Sequence, residues 1–290
     1  MAMKYSPFII GTTKERGITM EKRIDEYEAY LKEQELAEGT VSTYIRYARQ
    51  IEQRMELSGA SKKTVLEYKQ NLKEKKAAPT TLNLAIIAVN KYLKFCGLKE
   101  CTVKTEKIQK RKSLENVISI DEYRKMLQYA KNSKRKKYYY IMRTLAQTGI
   151  RISELQYFTV EVLEKKKIQV SNKGKIREIY LPDGLIQELY EYCKDNGISS
   201  GVIFKGNTSK PIGRSSVYKM LARIGTEAGI SKDKVYPHSF RHLFAVTYMN
   251  CYGNLTELAD ILGHSNLETT RIYTLTTAEE KRKRMDNLGL

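Results

Sequence analysis

Apolar residues recur at helical spacing through the first hundred positions of the chain. Ile24, Tyr27, Tyr30 and Leu31 share one stripe of a helix over 21–36. Tyr44, Tyr47 and Ile51 mark a second, from Gly39-Thr40 to Met55, ended by Ser58-Gly59. Ser61 caps a third over 61–76, with Val65, Leu66, Tyr68 and Leu72 inside. Pro79-Thr80-Thr81 opens a fourth, whose apolar positions run from Leu82 to Phe95 before Gly97 stops it. Four helices on short connections predict a bundle. From 98 to about 114 the pattern fades into a basic stretch that includes Lys107, Lys110, Arg111 and Lys112.

Beyond that stretch the periodicity is mixed. Ser119 caps a helix over 120–131 with Asp121 and Glu122 in its first turn, a second covers 136–148, and a short one starts at Ile152. The period drops to two over 167–171 and 176–181, and Asn172-Lys173-Gly174 between them is a hairpin turn. Helices follow near 184–194, 214–228, 238–252 and 255–262, with a short strand over 202–204 and a last helix over 278–287. The expected fold is mainly α with a small antiparallel β-sheet: a four-helix N-terminal domain and a larger α+β domain. The expected boundaries are an extension over 1–19, the bundle over 20–100, a basic linker over 101–116 and the second domain over 117–290. Met20 opens the helical pattern, which leaves 1–19 without expected structure.

Composition narrows the class. The 290 residues are 41% hydrophobic, enough for two cored domains and too much for wholesale disorder. The formal net charge is +19 and the pI about 9.6, with Lys and Arg spread along the whole length. A broad basic face of that kind points to nucleic acid. The densest apolar run, 84–89, falls far short of the roughly 20 residues that cross a bilayer. Cys96, Cys101, Cys193 and Cys251 are scattered, as expected of reduced thiols in a cytoplasmic protein.

The three histidines all fall in one C-terminal stretch. His238 and Arg241, three apart on a helix, share a face that one phosphate can touch, and Pro237 suits the start of that helix. His242 lies one turn from His238, but a zinc protease would want Glu where Ser239 stands, so His242 reads as an internal packing or hydrogen-bonding residue. In Leu262-Gly263-His264 the glycine ends a helix and turns His264 out of its line. Nine residues later comes Tyr273, one of 21 tyrosines. Upstream, Thr148-Gly149-Ile150-Arg151 with Glu154-Leu155 holds an arginine at a helix junction, and Lys173 sits at the hairpin tip.

In that order, these segments resemble the tyrosine recombinase (phage integrase) family, from about residue 20 to 290. The resemblance implies a core-binding (SAM-like) bundle followed by a catalytic domain. It implies that Tyr273 attacks a DNA phosphodiester and forms a 3′-phosphotyrosyl link, with Arg151, Arg241 and His264 on the phosphate oxygens. His238 would assist proton transfer from Tyr273 or hold the phosphate. Lys173 would protonate the departing 5′ oxygen. Asn172 stands where many members have glycine, so Lys175 competes with Lys173 for that role. Glu154 would orient Arg151. No metal or other cofactor is implied. The partner would be double-stranded DNA recombination sites, bound by a homotetramer that exchanges strands through a Holliday junction, with the last helix docking on a neighbour. Arg46 and Asn83 on the bundle, and Lys107, Lys110, Arg111 and Lys112 in the linker, would contact DNA. The short stretch before the bundle favours a recombinase acting on short core sites. A type IB topoisomerase-like relaxing enzyme and a non-catalytic DNA-binding protein are the alternatives. The bundle and the spacing from Leu262-Gly263-His264 to Tyr273 weigh against the first, and the filled catalytic positions against the second.

Overall fold

The computed structural model describes residues 20–108, 117–132, 136–172, 175–206, 209–264, 266–274 and 285–287. The chain divides into two units, Met1–Arg111 and Lys112–Leu290. Helices dominate both, and a two-stranded antiparallel sheet is the one sheet among the described residues.

In the first unit the apolar stripes meet. Helix α1 (Met20–Glu33) is shorter than its periodicity suggests, because Glu35 takes a left-handed φ of 53° and breaks the run. Helix α2 (Glu38–Ser58) runs past Met55 to stop at Gly59, φ 81°. Helix α3 (Lys62–Glu74) starts where the Ser61 hydroxyl accepts the Thr64 amide at 3.2 Å. Helix α4 (Pro79–Phe95) has proline in its first turn. Tyr27, Leu31, Ile51, Ile86 and Tyr92 form the centre of the core. Leu66 is not inside it; at 49% exposure it faces solvent.

Residues 99–106 do not leave this bundle as a free linker. A short 3-10 turn (Lys99–Cys101) buries Cys101, and Val103 is buried beside it. The Asn90 side-chain amide donates to the Val103 carbonyl at 2.8 Å and accepts its N–H at 3.1 Å. Two turns earlier on α4, Asn83 does the same to Glu106, at 2.9 and 2.8 Å. Each amide offers the donor and acceptor that a neighbouring strand would offer, so the segment is strapped to α4. Asn83 was expected to reach DNA. Its side-chain amide is bonded to the strap through one donor and one acceptor. Lys110, Arg111 and Lys112 lie outside the described residues.

In the second unit Ser119 and Glu122 form a reciprocal cap on α5 (Ile120–Lys131), at 2.8 and 3.1 Å. Helix α6 (Lys136–Thr148) is followed by a 3-10 turn (Ile152–Tyr157) and by a short α7 (Val160–Lys165) that periodicity did not reveal. Strands β1 (Lys167–Asn172) and β2 (Lys175–Tyr180) pair with Ile168 opposite Ile179 and Val170 opposite Arg177. Helices α8 (Asp183–Asp195), α9 (Arg214–Glu227), α10 (Pro237–Tyr252) and α11 (Leu255–Leu262) complete the unit with two 3-10 turns, Leu267–Thr269 and Arg271–Thr274. The strand expected over 202–204 is only a bridge from Val202 to Thr159, with the Ile203 amide on the Phe158 carbonyl at 2.9 Å. The expected last helix falls for the most part outside the described residues.

The core of this unit gathers Met126, Leu145, Phe158, Leu189, Phe204 and Phe240. A smaller cluster of Ala245, Leu258, Leu262 and Tyr273 fixes the 271–274 turn against α10. Helix α10 touches α6, α9, α11 and the 271–274 turn. It is therefore the element on which segments distant in sequence converge.

Candidate active site

Two glycine junctions shape the site. Gly149 follows α6 with φ +61°, and a β-carbon there would overlap the Phe244 ring. Gly263 ends α11 with φ 63° and ψ 47°, and a β-carbon there would meet Arg177 Cδ at 2.5 Å. Only glycine fits such left-handed, crowded positions without strain. Both junctions expose helix-end carbonyls, the negative pole of the helix dipole, to arginines. Arg241 Nη1 donates to the Gly149 carbonyl at 2.7 Å and Nη2 to the Leu262 carbonyl at 2.6 Å. Arg151 Nη2 reaches the Gly263 carbonyl at 3.4 Å.

His264 joins the same cluster. Its Nε2 lies 3.0 Å from Arg241 Nη2 and its Nδ1 2.8 Å from the hydroxyl of fully buried Thr270. Glu154, also buried, accepts the Arg151 amide at 2.7 Å and the Arg151 guanidinium at 3.3 Å. Its other neighbour is Arg177 Nη2, at 2.6 Å. Arg177 further donates to the Ile261 carbonyl, while its buried Nε has no hydrogen-bond partner among the described residues. Arg151, Arg177 and His264 line a cleft of about 920 Å³.

The charge balance is lopsided. Among the described residues, Glu154 is the one carboxylate bonded to these cations. Burial, and then Arg151 and Arg177, pull the guanidinium of Arg241 down to about 9. Burial, and then Arg241 and Arg151, hold His264 at about 4. His238, exposed at the start of α10, is lowered by desolvation and then by Arg241 and Arg151. Arg241, His238 and His264, each held down by neighbouring cations, would be relieved by an anion. A phosphate would supply it.

Tyr273 is 8% exposed and packs into the small cluster beside α10. Burial raises its phenol to about 12, against the lowering field of Arg241. Its hydroxyl lies 2.6 Å from Nδ1 of His242, which burial, His238 and Arg241 hold at about 4.

Residues 116–280, more than half of the chain, match the family model described as the phage integrase family. The chain belongs to the phage integrase family. Membership makes it a DNA-breaking and rejoining enzyme of the tyrosine recombinase class. Tyrosine recombinase XerA of Pyrococcus horikoshii is 26% identical over 274 residues, covering 92% of this chain and 93% of the relative. XerD of Staphylococcus haemolyticus is 26% identical over 280 residues, covering 88% and 94%. Among solved structures, a lambda integrase dimer bound to a COC′ core site shares the fold with TM-score 0.72 at 18% identity, covering 90% of this chain and 97% of that one.

In this integrase the structure brings Arg151, Glu154, Arg241 and His264 into one bonded cluster, with Arg241 and His264 in direct contact. His238 starts the same helix one turn before Arg241 and His242. Lys173 lies outside the described residues. Lys175 pairs with Asn172 through the backbone beside the turn. In the bundle, Arg46 is exposed, its guanidinium 4.6 Å from the Tyr47 ring centroid, and Lys107 is exposed.

Sequence reasoning missed Arg177, which had a legible signal: it alternates with Ile176 and Glu178 on the strand face that carries buried Ile179. An arginine on an inward face calls for a buried partner. His242 was expected to pack or hydrogen-bond internally, and it does, but its partner Tyr273 carried no sequence signal: the 271–274 turn brings it to α10 one helical turn beyond His238.

This field has a consequence for stability. His242 and His264 titrate near 4 when folded and near 6.5 when unfolded. Between those values the unfolded chain binds more protons, so stability falls as pH drops from about 6.5 towards 4. Thermal melts should show Tm declining from about pH 7.5 to about pH 5, and less so with sulfate or phosphate present. A flat Tm over that range would contradict the assignment.

Proposed function

We propose that this integrase is a site-specific recombinase of double-stranded DNA in which Tyr273 attacks the scissile phosphodiester. The observation that carries the reading is the anion-deficient cluster of Arg151, Arg241 and His264 on the α10 face that also holds Tyr273. Cleavage builds negative charge on the non-bridging oxygens, and preorganised guanidiniums stabilise it without further rearrangement. Arg241 and His264 bind those oxygens, Arg151 is steered to them by Glu154, and His238 at the helix start adds a donor. The 3′-phosphotyrosyl bond conserves the energy of the broken bond, so rejoining needs no ATP. The 5′ oxygen takes its proton from the hairpin, from Lys173 or else Lys175. Arg177, locked to Glu154, ties that hairpin to the phosphate site.

Arg46 and the basic residues Lys107, Lys110, Arg111 and Lys112 contribute phosphate contacts. The XerH recombinase, solved bound to its difH substrate (TM-score 0.65, 18% identity, covering 85% of this chain and 79% of that one), supports DNA as the partner. Four copies act together on two sites through a Holliday junction. The work is done in the cytoplasm, in keeping with Cys96, Cys101, Cys193 and Cys251, all free thiols. Among the described residues no helix is long and apolar enough to cross a membrane.

The test is covalent capture from a pool of nicked duplexes with randomised sequence. A complex that resists denaturation, and whose DNA-linked peptide contains Tyr273, is the expected result. Linkage through another residue overturns the assignment. Relaxation of supercoiled plasmids with no sequence requirement would favour a topoisomerase instead.

A further inference from the structure

The side chain that touches the reacting oxygen is His242, and nothing in the proposed chemistry yet uses it. The contact joins two rigid elements. His242 sits in α10, and Tyr273 is held by its ring in the Ala245, Leu258 and Leu262 cluster and by its amide on the Thr270 carbonyl at 3.0 Å. The two rings lie 5.6 Å apart at 51°, which aims the imidazole edge at the hydroxyl. The bond is therefore built by packing before any DNA arrives.

Both groups are neutral at neutral pH: burial holds the phenol near 12 and the imidazole near 4. In the tautomer with its hydrogen on Nε2, His242 Nδ1 accepts the bond and Tyr273 donates it. A general base needs this arrangement: neutral, and within hydrogen-bond reach of the proton it removes. His238, by contrast, has no hydrogen bond to Tyr273, and its ring lies 6.5 Å from that of His242.

We propose that His242 is a catalytic residue of this enzyme, taking the proton from Tyr273 during cleavage and returning it during rejoining. The proposal rests on Tyr273 being the nucleophile. In cleavage the Tyr273 oxygen bonds to phosphorus, the bond from phosphorus to the 5′ oxygen breaks, and the phenol proton moves to Nδ1. The 5′ oxygen takes a proton from a hairpin ammonium or from water. In rejoining the 5′ hydroxyl returns its proton to the hairpin amine or to water and attacks phosphorus, the tyrosyl ester breaks, and Nδ1 returns its proton to the phenolate. No net proton remains on His242.

The groups around the pair give the device a switch. His238 and Arg241 on the same helix disfavour imidazolium, and Tyr236 faces Tyr273. A phosphodiester bound at Arg241 and Arg151 offsets the arginine field and makes His242 a stronger base. Activation of the nucleophile would thus follow substrate binding.

Single-turnover cleavage of a suicide duplex, its site taken from the captured pool, tests this. His242→Asn keeps an acceptor oxygen near the position of Nδ1 but cannot hold a proton, whereas His242→Ala removes both properties. Both variants should bind the duplex normally and lose roughly 10²–10⁴-fold in cleavage rate at neutral pH. The deficit should shrink as pH rises and the phenol ionises unaided. A wild-type rate in His242→Asn would reduce His242 to a holder of Tyr273 and overturn the proposal, as would a loss equal at every pH. If wild-type protein gives no covalent complex, it is the nucleophile assignment that fails, and that outcome is read separately. Should the variants misfold, histidine 15N shifts decide: an acceptor-type Nδ1 in wild type that moves on Tyr273→Phe supports the bond, and an unmoved one overturns it.

Discussion

Tyr273→Phe abolishes the covalent DNA complex and leaves the fold and non-covalent DNA binding in place. The substitution removes one oxygen and nothing else. The ring keeps its packing on Ala245, Leu258 and Leu262, and the arginines proposed to hold DNA phosphates are untouched. His242 loses its bonding partner, but it is only half buried, so the cost in stability is about 1 kcal/mol. Catalysis has no such reserve, because without the phenolic oxygen no phosphotyrosyl bond can form. Gel-trapped complex should fall from a clear band to none, at equal duplex affinity in a mobility-shift assay. A residual band would direct attention to the tyrosines further along α10, Tyr248 and Tyr252.

Glu52→Ala produces the largest loss of stability, and it does so far from any chemistry. Glu52 is 2% exposed inside the bundle. It accepts the Arg23 guanidinium at 2.7 Å and the Tyr92 hydroxyl at 2.7 Å. Arg23 Nε already lacks a partner among the described residues. Truncating the carboxylate strands a buried guanidinium, which costs about 3–5 kcal/mol. In a unit of this size that is a large part of total stability. Amide hydrogen exchange on the intact protein should show protection collapsing in α1, α2 and α4, with the helices of the second unit unaffected. Arg23→Met with Glu52→Met and Tyr92→Phe removes the whole polar set together and should recover most of the stability. If Glu52→Ala alone exchanges like wild type, the carboxylate is not bearing that charge.

The difference between these experiments reflects two kinds of residue. Arg241, like Glu52, is buried and bonded, yet its neighbours are carbonyls, a histidine and other arginines. The bundle neutralises its buried charge with a carboxylate. In the second unit no carboxylate is bonded to buried Arg241 among the described residues, and burial without such a counterion is what suits the site to a phosphate.

Much of the bundle was legible from local signals. Ser61, Pro79 and Gly59 set helix ends through caps and backbone angles that involve only near neighbours in sequence. The same holds for the reciprocal Ser119–Glu122 cap and for the hairpin's alternation. Misreadings arose where distant segments compete. The segment over 101–106 looks like linker because its composition is basic, and only the amides of Asn83 and Asn90 make it part of the bundle.

For the catalytic unit, the sequence by itself offered the chemical inventory and its order: two arginines, a hairpin lysine, two of the three histidines and a tyrosine, on segments whose glycines mark helix ends. Residue type and short spacing suffice for that, since a helix face or a left-handed glycine is a local property. Only the tertiary structure decided which histidine meets Tyr273, and that Arg177 shares Glu154 with Arg151. Those pairings span 31 and 23 residues of chain. They depend on how far along α10 the last turn packs and on how the hairpin meets α11, and packing geometry of that kind leaves no periodic trace in the residues that take part.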